Sequence, residues 1–133
     1  MSNRKLLLAA LPLFVACSGC AESSQFVAKR QRIAQTTPEC VSGQDCDAKW
    51  EAARHWVYNH AGFNVQTADS QMIDTYRGGE QDERPVDRVT KEPLGDGRFK
   101  IVIAISCTNF FGCVPNKWNE MLAFNQSIGA IRP

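Results

Sequence analysis

Three things are scarce in this chain of 133 residues. The first is charge of one sign. Fifteen basic side chains face fourteen acidic ones for a formal +1, and losing Arg4 and Lys5 with the opening segment would turn the balance to −1. A nucleic-acid binder carries a strongly basic domain, so nothing points to that class. The second is long apolar runs. Leu6–Ala16 (LLLAALPLFVA) would be a helix of about 16 Å, roughly half a bilayer's hydrocarbon core, which argues against a spanning helix and rules out a multi-span membrane protein. The third is histidine. His55 and His60 sit five apart, about 140° around a helix axis, so they cannot share a metal as positions i and i+4 do.

What is present suffices for one modest core. The hydrophobic share is 44%, too high for a disordered chain, and the length is too short for two domains. Apolar residues are concentrated at the N-terminus. Arg4 and Lys5 precede the Leu6–Ala16 stretch, and small residues and cysteine follow it. This order of charge, apolar run and small residues reads as a secretory leader over residues 1–19. The segment ending in Cys20 resembles the lipobox of bacterial lipoproteins, in which a cysteine becomes the acylated mature N-terminus. Phe14-Val15-Ala16-Cys17 has suitable residues before Cys17, whereas Cys17-Ser18-Gly19-Cys20 has a less usual cysteine three positions before Cys20.

Cysteine arithmetic favours the second site. With Cys20 as the anchor, Cys40, Cys46, Cys107 and Cys113 remain and can all pair in an oxidising compartment. With Cys17 as the anchor, an odd number remains. Cys20 is therefore assigned as the lipidation site, with Cys17 as the alternative. The resemblance implies a palmitate-type acyl anchor and, because aspartate does not follow the anchor, delivery to the outer membrane facing the periplasm. Several acyl chains hold firmly, since each buried CH₂ contributes about 0.8 kcal/mol.

Residues 20–38 read as a flexible tether: after Cys20, AESSQFVAKRQRIAQTTP has a Ser/Gln/Thr bias, no sustained periodicity and a final proline. Fully extended, it would reach about 60 Å. Residues 39–133 form the domain. Asp45 or Asp47 is the expected N-cap of a helix running to Ala61, whose stripe is Trp50, Ala53, Trp56, Val57 and Ala61. Gly62 is expected in the left-handed position after it, with Phe63 packing back on Tyr58.

Alternation then predicts strands over 63–67, 72–76, 86–92 and 98–107. Asp96-Gly97 turns the last pair, and 98–107 lies in the interior of the sheet. Arg77–Arg84 is a polar loop with no expected core role. A second helix is predicted from Pro115, in its first turn, to Ile128, with Trp118, Met121, Leu122, Asn125 and Ile128 buried and Gly129 ending it. The expected fold class is α+β: helix, four-stranded antiparallel sheet and helix in a two-layer sandwich, after the leader and linker.

The cysteines are spaced alike, Cys40 six before Cys46 and Cys107 six before Cys113. Three connectivities exist, and the equal spacing favours the local pair. Each would close a seven-residue loop worth about 2.4 kcal/mol in chain entropy, against about 4 kcal/mol for a crossed bridge. Five intervening residues do not suit zinc, and Cys17-x-x-Cys20 lies at the leader junction, away from any redox fold. No Gly-x-Ser-x-Gly elbow or phosphate loop is present. Asp82, Glu83 and Asp87 cluster but interleave with Arg84 and Arg88, which reads as a solvated loop. No catalytic residue, metal site or cofactor is expected.

Cys46-Asp47-Ala48-Lys49-Trp50, Arg88-Val89-Thr90-Lys91-Glu92-Pro93-Leu94-Gly95, Cys107 and Phe111-Gly112-Cys113-Val114-Pro115 resemble segments of small, uncharacterised proteobacterial lipoproteins. That resemblance implies no activity and assigns no catalytic residue. The function expected is a non-catalytic, lipid-anchored envelope module with a structural or protein-interaction role. Its contact would be made through its sheet or through the Phe110-Phe111 loop, the latter unless both rings fold inward. The alternative is a periplasmic inhibitor or small-ligand-binding lipoprotein.

Overall fold

The computed structural model describes residues 23–133; the expected leader and the candidate anchors Cys17 and Cys20 lie outside the described residues. The chain forms α1 (Ser24–Thr36), β1 (Glu39–Val41), α2 (Gln44–His60), β2 (Val65–Ala68), β3 (Met72–Thr75), β4 (Val86–Gly95), β5 (Arg98–Ser106) and α3 (Lys117–Gly129). It is a mixed α+β fold whose antiparallel sheet has the order β1-β5-β4-β3-β2. The four expected strands are β2 to β5. A fifth, β1, is added at the edge of β5, where Cys40 faces Phe99. At three residues it is too short for alternation to reveal.

Strand period fixes which face is buried. Val89 lies between Ile103 on β5 and Ile73 on β3. With Ile101 and Ile105 these residues form the floor of the core, covered by Trp50, Ala53, Trp56 and Val57 of α2 and by Phe124 and Ile128 of α3. Trp56 and Phe124 meet edge to face at 5.3 Å. On the other sheet face Arg88 grips the Asp74 carboxylate at 2.9 and 3.1 Å. β5 lies inside the sheet as alternation predicts. Gly95, Asp96 and Gly97 all take positive φ (91°, 52° and 69°), the backbone a tight Asp-Gly hairpin demands.

Both helix starts differ from expectation. The cap of α2 is Gly43. Asp45 sits inside the first turn, accepting from Val41 N–H at 2.9 Å and pairing with Lys49 at 2.9 Å. Asn116 caps α3, its side chain accepting from Trp118 and Asn119 N–H at 3.1 and 3.3 Å. Pro115 therefore precedes the helix. Within α3, Phe124 is fully buried, whereas Leu122 is only half-buried, a small rotation from the stripe read in sequence. After α2 the chain leaves through Ala61 in extended geometry, so Gly62 is not a left-handed terminator. Glycine is required there by close approach, since a Cβ would lie 2.8 Å from both Arg84 Cβ and Pro85 O. Phe63 packs under the Arg84 guanidinium at 4.2 Å.

The largest departure is α1, which occupies most of the stretch read as a flexible tether. The Ser23 side chain caps its start. Phe26 meets Trp118 of α3 at 5.2 Å, while Asn125 of α3 donates to Ile33 O at 3.0 Å and Thr36 Oγ1 at 3.2 Å. The two helices thus run side by side in the same direction. α1 buries no residue fully, and its half-buried Phe26 and Ile33 form a stripe only one residue wide. Such a stripe leaves little periodic signal.

This topology gives the domain two distinct poles. At one lie the Cys40–Cys46 bridge and the β4–β5 hairpin, joined by Ser42 N–H donating to Gly97 O at 2.7 Å. At the other lie the end of β5, the C-terminal end of α2 and the starts of both α3 and α1.

Candidate functional site

The second pole carries the most unusual surface. β5 ends at Ser106, and the chain then makes the loop closed by Cys107–Cys113, Cα atoms 5.5 Å apart. Both disulfides are the local pairs that equal spacing favours. They differ in setting. Cys40 and Cys46 are buried in the core, whereas Cys107 and Cys113 are half-buried at the pole.

The outer loop is firmly seated. The Thr108 hydroxyl donates to Gly79 O at 2.6 Å, and Asp82 N–H donates to Thr108 Oγ1 at 3.0 Å. Asn109 N–H donates to Asp82 O at 3.1 Å, and Val114 N–H to Glu83 O at 2.8 Å. The Asp82 carboxylate is held in turn by Arg84 at 2.8 and 3.1 Å, which keeps its pKa below the usual carboxylate range. The polar stretch 77–84, for which the sequence suggested no core role, is therefore the seat of the loop. Asp82 serves this structure and is not part of a free acidic cluster.

At the tip, the Asn109 carboxamide oxygen accepts from Phe111 N–H at 2.8 Å, an Asx turn, and Gly112 supplies φ 110°. Phe110 and Phe111 point outward, 87% and 93% exposed, their rings edge to face at 5.6 Å. Val114, at 59%, extends the patch. Of the two dispositions open to these rings, the structure places them outside. Such exposure is unusual for large apolar side chains on a seated loop, and it marks contact surfaces.

A second feature of this pole was hidden in the sequence. Asp87 stands opposite Ile105 in the β4–β5 register, so its side chain faces the core, and it is 1% exposed. Its backbone is satisfied, N–H donating to Thr75 Oγ1 at 3.0 Å, but its Oδ1 has no hydrogen-bond partner. Burial pushes the carboxyl up to about 6; Glu120 on α3 pushes it the same way and His60 on α2 opposes. This corrects the reading of Asp87 as part of a solvated cluster. Strand parity could have shown it, because Asp87 shares its face with Val89.

The remaining candidates are structural. His55 lies on the α2 surface near Glu51, 3.3 Å away. His60 stacks on Trp56 at 4.4 Å with its Nδ1 hydrogen-bonded to Trp56 O at 2.9 Å. Among the described residues no cluster of histidine, cysteine or carboxylate side chains could hold a metal. None of their helices is long and apolar enough to cross a membrane. No family model, curated protein or solved structure matches this chain.

Proposed function

We propose that this is a non-catalytic, lipid-anchored protein of the bacterial cell envelope, tethered to the outer membrane through Cys20 and facing the periplasm. Its working part is the Cys107–Cys113 loop. The observation that carries this reading is the outward display of Phe110 and Phe111, 87% and 93% exposed, on a loop held by a disulfide and by hydrogen bonds to the 79–83 segment. A loop already fixed in its binding geometry loses little conformational entropy on contact. Two adjacent aromatic rings supply the apolar area that dominates the energetics of contact.

The test uses the full chain expressed with its leader. A photoreactive phenylalanine analogue at position 111 should cross-link to another envelope component in cells, and palmitate label should be lost on Cys20→Ser. A position-111 probe that yields no intermolecular product would refute the contact role. Label retained on Cys20→Ser but lost on Cys17→Ser would move the anchor.

A further inference from the structure

We infer that the surface met by Phe110 and Phe111 is the lipid bilayer carrying the anchor, so that the domain sits with its loop-bearing pole on the membrane. This rests on the anchored reading above and specifies what the loop touches.

Chain entry and aromatic tip lie at one pole. α1 and α3 run in parallel, with Phe26 against Trp118 at their starts and Asn125 holding Ile33 and Thr36 further along. The start of α1 therefore lies beside the start of α3, and α3 is entered directly from the loop through Val114, Pro115 and Asn116. Between Cys20 and Ser23 there is only enough chain to span about 11 Å, or about 22 Å from Cys17. With 24–36 helical and docked on α3, the long reach expected of a flexible tether is gone. An acylated Cys20 holds this pole against the headgroups.

The tip then faces the bilayer. Lys117, over the Trp118 ring at 5.0 Å, and Arg30, over the Phe26 ring at 5.8 Å, stand in the opening turns of α3 and α1. The neighbouring Asp82 is paired with Arg84, and Glu80 and Glu83 stand on the same segment. Charge at this pole is mixed, so apolar insertion rather than attraction to anionic lipid supplies the contact. Each phenylalanine moved from water to an apolar phase strengthens partitioning about tenfold or more.

The test places a fluorophore at the tip. The full chain carrying Phe111→Trp is purified from membranes and reconstituted into vesicles of phosphatidylethanolamine with a minor share of phosphatidylglycerol, with plain or brominated acyl chains. A second chain carries Gln126→Trp, near the far end of α3. Signals are read as differences from the parent chain. The expected result is loss of emission in brominated vesicles for Phe111→Trp and none for Gln126→Trp. Equal emission of the Phe111→Trp chain in both kinds of vesicle, or equal quenching of the two chains, would overturn the inference. Intact mass of the same preparations reads the acyl chains separately. An acylated chain with an unquenched tip refutes the bilayer contact and leaves the anchored module with a protein partner. A non-acylated chain whose tip is quenched on adding vesicles supports the contact and refutes the anchor.

Discussion

Replacing Asp87 with asparagine should stabilise the domain at neutral pH, an uncommon direction for a substitution at a fully buried position. The folded carboxyl is pushed by burial from its ordinary 3.8 to about 6. In the folded protein it therefore keeps its proton over a range in which the unfolded chain has already released its own. Where the folded state binds more protons, stability falls as pH rises. The loss begins near the unfolded value and is complete once pH exceeds the folded one. At about 1.4 kcal/mol per unit, ionising this group in place costs about 3 kcal/mol.

Asparagine has nearly the same shape and no charge to bury, so that cost disappears. It brings amide hydrogens that also need partners, which returns about 1 kcal/mol. Urea unfolding followed by tryptophan fluorescence should give Asp87→Asn a gain of about 2 kcal/mol at pH 7 that shrinks as pH falls, crosses zero at about pH 4.5 and becomes a small loss by pH 4. The carboxylates Asp45, Asp69 and Asp82, outside the core, are shifted down by hydrogen bonds. Their contribution is present above the unfolded carboxylate value and fades as pH falls below it, outside the window in which Asp87 acts. Parallel pH profiles for parent and variant between pH 4 and 7, or a destabilised variant at pH 7, would refute the reasoning.

Three further outcomes follow from packing. Gly62→Ala places a methyl 2.8 Å from Arg84 Cβ and Pro85 O and should lower stability by about 1–3 kcal/mol in the same assay. Breaking the buried Cys40–Cys46 bridge with paired alanines should cost more than breaking Cys107–Cys113. Each loses about 2.4 kcal/mol of loop entropy, but only the first also removes two core side chains; equal losses would show that the core contacts contribute nothing. Asn125→Leu removes the donor that holds Ile33 and Thr36. Hydrogen exchange of the α1 amides should then accelerate while β4 and β5 stay protected, and unchanged α1 exchange would contradict its docking through Asn125.

What could be read in the sequence depended on how wide a periodic signal each element left. α2 shows four core residues at helical spacing, and β5 alternates through Ile101, Ile103 and Ile105, so both stand out from composition alone. The equal cysteine spacings likewise carried the bridges. α1 did not stand out, because it packs mainly on α3 and needs little more than Phe26 and Ile33 to do so; Ser23 before a run of good helix formers was the available sign. Gly62 could be marked as special, but whether it serves a positive φ or a close approach depends on the 84–85 backbone, which comes from elsewhere in the chain. The same holds for the candidate site. The Phe110-Phe111 pair is visible in the sequence, yet its outward display is set by hydrogen bonds to residues 79–83, which no local pattern connects to it.

The central claim is that Phe110 and Phe111 serve contact outside the molecule and not its folding. The most direct measurement is the unfolding free energy of the chain with both replaced by serine, taken alongside the parent. The expected result is a change within about 0.5 kcal/mol, as for surface positions outside the core. A loss of about 3 kcal/mol or more, the size seen when a buried phenylalanine is removed, would show that the rings belong to the core and contradict the account.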